Sequence, residues 1–110
     1  TDNCYSTSNY RFTPNLAGYY LIRGNVAIAS MNGTMGVNIY KNGSRFVNMD
    51  NQQNRSGGQN LCITGLIPMN GSSDYVEIYV FQSSGSSKNL VNGTQFAVTE
   101  FSGMFVRSLA

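Results

Sequence analysis

The sequence contains no histidine and no tryptophan, and only 11% of its residues are charged. Histidine is the usual general base near neutral pH and the commonest protein ligand for metals, so its absence removes the most frequent catalytic and metal-binding designs. The acidic residues are few and far apart: Asp2, Asp50, Asp74, Glu77 and Glu100. Asp74 and Glu77 stand three apart in a predicted strand and so point to opposite faces. We therefore expect a protein that is not an enzyme and that needs no cofactor and no metal.

Cysteine and dense positive charge are also scarce. Cys4 and Cys62 are the only cysteines, and one pair in 110 residues favours two unpaired thiols over a disulfide-dependent secreted scaffold. The net charge is +2, and the seven basic residues are scattered along the chain. Nucleic-acid binding needs a dense basic patch, so no nucleic-acid partner is expected. No apolar run approaches the roughly 20 residues of a membrane-spanning helix, so membrane insertion is not expected either.

Four Asn-Gly dipeptides divide the chain, at residues 32–33, 42–43, 70–71 and 92–93. Both residue types tolerate the positive φ angles of a tight turn, and this dipeptide between alternating runs is the strongest short-range hairpin signal. The segments between the dipeptides alternate apolar and polar residues, and none has the apolar spacing of an amphipathic helix. The pattern predicts one all-β domain, large enough to bury its own core.

The longest predicted strand covers residues 18–29 and is interrupted by Gly24. Its inner face is apolar and consists of Tyr20, Ile22, Val26 and Ile28. The other face carries Tyr19 and Leu21 beside Arg23, which is unusual for a face meant only for water, so we expect part of it to be covered. A second strand, residues 74–81, has an aliphatic face and an aromatic one. Contiguous apolar surface of that kind usually marks an interface, which predicts self-association.

The remaining segments complete the predicted set of strands. Residues 36–49 form a hairpin that turns at residues 42–43, with Val37 and Ile39 inward and Asn38 outward. Residues 61–67 form a strand that Pro68 ends. Two polar tracts, residues 50–58 and 82–89, are predicted loops. The last strands supply core residues Phe96, Val98, Phe101, Met104, Phe105 and Val106.

Seven or eight short strands at this spacing predict a two-sheet β-sandwich or jelly roll, in which each sheet buries one face against the other. Four segments add a family resemblance: FTPNLAGYY at residues 12–20, VNIYKNG at 37–43, DYV at 74–76 and FSGMF at 101–105. In this order and spacing, the chain resembles the globular head of the complement 1q family, a relative of tumour necrosis factor, over residues 11–106.

The resemblance implies a ten-stranded jelly roll that assembles into a homotrimer around an apolar axis. Its first strand lies upstream of this chain in the family, so residues 1–110 are expected to be a single head domain at the C-terminal end of a longer chain, with a first strand supplied from elsewhere as the alternative. The segment at residues 71–74 is looser than the family pattern, so no calcium site is carried over. The composition, rich in Asn, Ser and Gly and poor in cysteine, is similar to heads found in bacteriophage and bacterial proteins.

These features together predict a virion structural or attachment domain, such as a phage tail-fibre tip or capsid decoration. Its expected partners are further copies of itself, other virion proteins, and a host surface glycan or protein receptor. The alternative is a secreted or cell-surface, lectin-like binding module with an extracellular location. The candidate trimer interface consists of aromatic residues: Tyr20, Tyr75, Tyr79 and Phe81. The candidate ligand contacts lie in the two polar tracts: Asn51, Gln52, Gln53, Asn54, Arg55, Ser84, Ser86 and Lys88.

Overall fold

A computed structural model describes residues 4–91 and 99–109, and for residues 48–50 and 53–55 it describes the backbone alone. Strands are the regular structure of these residues: β1 (Tyr5–Ser6), β2 (Arg11–Phe12), β3 (Gly18–Lys41), β4 (Ser44–Met69), β5 (Val76–Gln82) and β6 (Glu100–Arg107). The predicted all-β class is confirmed. Over the same residues, no helix is long and apolar enough to cross a membrane.

The fold is built around one long antiparallel hairpin, formed by β3 with 24 residues and β4 with 26. Its turn lies at Asn42 and Gly43, whose φ angles are 52° and 83°. Two consecutive positive φ angles give the backbone a twist that matches the flanking strands, which is why Asn-Gly is preferred at this position. The turn and the hairpin predicted for residues 36–49 are therefore confirmed.

The two halves of β3 belong to two different groups of strands. On one edge, β3 pairs with β4 along most of its length. On its other edge, the first half pairs with β6 and the second half pairs with β5, which continues to β2 and then β1. We call β6, the first half of β3 and the second half of β4 the β6 layer; we call the second half of β3, the first half of β4, β5, β2 and β1 the β5 layer. All the pairings are antiparallel.

The hairpin folds back so that the two layers face each other. Gly24 of the β6 layer lies against Ile78 of the β5 layer, and a Cβ atom on Gly24 would stand 2.8 Å from Ile78 Cδ1. Gly65 lies in the same way against the other layer, where its Cβ would stand 2.5 Å from Val47 Cγ2 and 3.3 Å from Ile39 Cδ1. The protein is therefore sandwich-like, as the alternating pattern predicted.

The core fills the space between the layers. Its buried members are Tyr20, Ile22, Val26, Ile28, Met31, Met35, Val37, Ile39, Leu61, Ile63, Ile67, Met69 and Val76. The inner face predicted for residues 18–29 is buried at all four positions, and Val37 and Ile39 are buried as predicted. Strict alternation identified these residues because each strand turns one side to the opposite layer.

The segment of residues 50–58 was predicted to be a loop, and this prediction is wrong: it lies within β4. Its backbone pairs with β3, for example Asn51 with Gly36 and Gly57 with Met31. Backbone pairing does not require apolar side chains, so a polar tract can continue a strand once a hairpin has placed it beside its partner. Pro68 does not end the strand either, because among the described strands β4 pairs only with β3, and an edge strand tolerates proline.

Other local predictions are also corrected. Gly24 does not interrupt β3, and the Asn-Gly pair at residues 32–33 lies inside β3 beside a shift in the register with β4. Asn38 faces outward as predicted, opposite Tyr79 on β5, but it is buried there. Of the predicted C-terminal core residues, Phe101 packs against the core but three are exposed: Met104, Phe105 and Val106. Residues 92–93, Phe96 and Val98 lie outside the described residues.

Candidate functional site

Three ion pairs are found among the described residues: Arg11–Glu77, Arg23–Glu100 and Lys41–Asp74. Over residues 4–91 and 99–109, no three His, Cys, Asp or Glu side chains lie close enough together to hold a metal ion. The most connected carboxylate is that of Asp74, which accepts a hydrogen bond from Asn42 Nδ2 at 2.8 Å and one from the Asn70 backbone N at 2.9 Å. Lys41 Nζ lies 3.4 Å from the same carboxylate. These partners, Asn42 first, hold the pKa of Asp74 below its ordinary value.

The candidate trimer residues do not form one surface. Tyr20 is 6% exposed and its hydroxyl donates a hydrogen bond to the Leu16 carbonyl oxygen at 2.8 Å, so it belongs to the core. Tyr75 is partly buried, and the guanidinium of Arg11 lies 4.0 Å from the centre of its ring. Tyr79 and Phe81 are 46% and 48% exposed on the outer face of β5.

Tyr79 forms part of an aromatic surface on the β5 layer, which we define as Tyr40, Tyr79 and Phe81. The rings of Tyr40 and Tyr79 are stacked, with centroids 4.1 Å apart and planes 10° from parallel. One face of the Tyr79 ring is therefore already covered from within the chain. The neighbouring ion pair, Arg11 Nε to Glu77 Oε2 at 3.3 Å, gives this surface a polar border.

The candidate ligand contacts lie on two opposite edges of the middle of β3. Asn51 and Gln52 are in β4 and not in a loop; Asn51 is exposed, and Gln52 Nε2 donates to the Asn60 carbonyl oxygen at 3.2 Å. The side chains of Gln53, Asn54 and Arg55 are outside the described part of the structure. The other tract adjoins Thr34, whose backbone N donates to Ser83 Oγ at 2.9 Å. One strand therefore separates the two tracts.

Of the tract predicted as a loop, residues 83–89 follow β5 and form a loop, while Gln82 is the last residue of β5. Ser84 Oγ donates to Gln82 Oε1 at 2.5 Å, and Gln82 Nε2 donates to the Ser86 carbonyl oxygen at 2.8 Å. Lys88 is partly buried. The loop is therefore held by its own side chains and presents Ser86 at the surface, which suits recognition because a preorganised loop has less entropy to lose on binding.

A row of exposed apolar side chains lies on the outer face of the β6 layer. Leu21 pairs with Leu66 on one neighbouring strand and with Met104 on the other, so the three side chains stand side by side on one face. They are 38%, 53% and 58% exposed, respectively. We call these three residues the apolar row. The sequence indicated its centre, since Leu21 stands on the face expected to be covered, but it did not indicate Leu66 or Met104.

Polar groups border the apolar row on both sides, in the direction of the strands. Arg23 Nη1 lies 2.9 Å from Glu100 Oε1, and Arg23 Nε donates to Cys62 Sγ at 3.2 Å. These contacts, Cys62 first, raise the pKa of Arg23 above its ordinary value. On the opposite side of the row from Arg23, the guanidinium of Arg107 lies 4.8 Å from the centre of the Tyr19 ring. The border thus carries both signs of charge.

The chain matches no protein-family model and no curated protein sequence. Its function must therefore be argued from its fold and from the chemistry of its surfaces.

Proposed function

We propose that this chain is a non-enzymatic head domain that works as a homotrimer in a virion, as a tail-fibre tip or capsid decoration with a structural or attachment role. The observation that carries the proposal is the apolar row, in which three large side chains stand together on an outer face. A single exposed leucine is ordinary on a protein surface, but a contiguous apolar patch usually marks an interface. Assembly accounts for such a patch on a folded domain.

Two further arguments support the trimer and the jelly-roll type. The segments at residues 12–20 and 101–105 resemble the complement 1q head, whose relatives are trimeric jelly rolls. In this chain, the ring centroids of Phe12 and Tyr20, which both belong to the first segment, lie 5.6 Å apart. The ring centroid of Phe105, in the second segment, lies 5.5 Å from that of Tyr20. The resembling segments thus come together in one aromatic cluster, which supports reading them as a single structural signature.

The attachment role rests on the loops. A rigid sandwich that presents polar loops is a common arrangement for recognition, and the exposed Ser86 and the partly buried Lys88 offer a hydroxyl and an ammonium group to a hydroxyl-rich ligand. A host surface glycan is the ligand class that these groups suit best. The sparse charge of the chain also favours contact through neutral hydrogen bonds over electrostatic capture.

Light scattering on a size-exclusion column under reducing conditions tests the assembly. We expect a mass of three times 12.0 kDa, the mass of one chain. A monomer at concentrations near 10 μM would contradict the proposal. A glycan array probed with the trimer tests the attachment role. A glycan that binds the parent protein and binds a Ser86→Pro variant more weakly supports attachment. If no glycan binds above background, the attachment role is contradicted and the structural role is favoured.

A further inference from the structure

We propose that copies of this chain meet through the outer face of the β6 layer, with the apolar row at the centre of the contact. This inference rests on the proposed assembly and specifies which face carries it. It assigns the contact to Leu21, Leu66 and Met104 and leaves the aromatic surface of the β5 layer outside it.

The geometry of the apolar row favours a protein surface as its occupant. Its three residues come from three adjacent strands in matching register, so they form a line across the sheet and not a pocket. Adjacent strands are about 4.8 Å apart, which gives the line a length of about 10 Å. A flat apolar line of this kind fits against another flat surface, whereas small ligands are usually held in concave sites.

The charges around the apolar row favour a second copy over an unrelated partner. Arg23 stands two residues after Leu21 on β3, on the same face, and it lies against Glu100. The side chains of both are about half exposed. A face that carries both signs next to an apolar centre can meet a copy of itself without net repulsion, since the arginine of one copy can approach the glutamate of the next. Around a threefold axis, the apolar rows would point to the axis and these pairs would lie toward the neighbouring copies.

The aromatic surface makes a weaker candidate for the same contact. The Tyr79 ring already stacks on Tyr40 within the chain, which covers one of its two faces. Phe81 is exposed two residues further along β5. Part of the aromatic surface is therefore already used within the chain, and it remains available for other contacts.

The test compares charged substitutions on the two layers by light scattering. Leu66→Lys and Met104→Lys place a cation in the apolar row, and Tyr79→Lys and Phe81→Lys are the matched controls, at similar exposure on the β5 layer. We expect both apolar-row variants to lose at least ten-fold in trimer association and to elute as monomers near 10 μM, while both controls remain trimers. Because all four side chains are at the surface, each variant should keep the circular dichroism spectrum of the parent protein.

Cys62 provides a second measurement that needs no substitution. Its thiol is exposed beside Arg23 at the border of the apolar row. We expect alkylation of Cys62 by a bulky maleimide, followed by peptide mass spectrometry, to slow at least five-fold as the chain assembles on concentration.

The outcomes separate the two proposals. A parent protein that is a monomer contradicts the proposed assembly itself. A trimer that survives Leu66→Lys and Met104→Lys, or in which Cys62 reacts equally at all concentrations, overturns the assignment of this face and leaves the trimer standing. Dissociation by Tyr79→Lys alone would move the contact to the aromatic surface.

Discussion

Asp74 joins three parts of the chain through one carboxylate. It accepts hydrogen bonds from Asn42 in the hairpin turn and from the backbone of Asn70 after β4, and Lys41 at the end of β3 pairs with it. Asn70 completes the connection, because its side-chain oxygen accepts from the backbone N of each residue in the segment 72–74. The segment between β4 and β5 is thereby fixed by polar contacts and not by apolar burial.

Stability should depend on the ionisation of Asp74. Its folded-state pKa is lowered relative to the unfolded chain, so its contribution is fully present above the unfolded pKa of about 3.9 and is lost as the pH falls through the lower, folded value. We expect Asp74→Asn to reduce the free energy of unfolding at pH 7, and the difference from the parent to shrink as the pH is lowered below about 4. Urea unfolding at pH 7, 5, 4 and 3 measures this. A difference that stays constant over this range would contradict the assigned role.

At the scale of single residues, the sequence predicted where the backbone adopts positive φ angles, but it did not predict correctly where the chain turns. The same dipeptide gives a tight turn at Asn42–Gly43 and a position inside β3 at Asn32–Gly33. Gly33 has a φ of 132°, so the glycine is used in both places, but at the second the chain on each side continues to pair with its neighbours. A dipeptide permits a turn, and long-range pairing decides whether the turn forms.

At the scale of strands, the alternation of apolar and polar residues identified the buried faces, but it gave no signal where a strand contains no apolar residues. The inward positions of β3 followed from the sequence because each has an apolar neighbour across the core. Residues 50–58 of β4 have no such pattern, and only their pairing with β3 makes them a strand. That pairing is imposed by a turn at Asn42–Gly43, several residues earlier in the chain. A window of sequence around the polar tract therefore does not contain the information that determines its structure.

The contact between the two layers depends on glycine at Gly65. A Cβ atom there would stand 2.5 Å from Val47 Cγ2, and the branched valine has few rotamers with which to move away. We expect Gly65→Ala to destabilise the protein by about 1–3 kcal/mol, the usual cost of overpacking. Urea unfolding at fixed protein concentration measures the loss.

Two further variants isolate the cause. Gly58→Ala is the matched control on the same strand, because its Cβ would meet the Ala29 carbonyl oxygen at 3.4 Å and the Ile28 carbonyl oxygen at 3.7 Å, which are ordinary contacts. We expect it to be close to neutral. Adding Val47→Ala to Gly65→Ala should recover part of the lost stability, since it removes the clashing methyl groups. If the double variant is merely the sum of the two single losses, the two side chains do not meet as described.

At the scale of the whole molecule, the outer surfaces were harder to predict than the core. Leu21, Leu66 and Met104 lie about 40 residues apart in sequence, and only the order β4–β3–β6 brings them into one row. The local sequence pattern indicated one member of the row, because Leu21 stands on a strand face more apolar than a fully solvated face usually is. The aromatic residues of β5 were conspicuous in sequence for the same reason, but the structure shows that one of them, Tyr79, is partly covered by Tyr40.

A trimer formed through the apolar row should make folding stability depend on concentration. When three folded chains dissociate as they unfold, each tenfold rise in concentration stabilises the assembly by about 2.7 kcal/mol, or about 0.9 kcal/mol per chain. For a chain of this size, that raises the thermal midpoint by about 4 °C. We expect the parent protein to show this shift between about 2 and 20 μM in a thermal melt followed by circular dichroism.

Met104→Lys is the comparison. We expect it to be a monomer, so its melting temperature should be lower, because it lacks the stabilisation by assembly, and should not change with concentration. An exposed side chain contributes little to the stability of the monomer itself. A parent midpoint that is constant over this range would mean that assembly adds nothing to folding, and the apolar row would then have to be explained without a second copy of the chain.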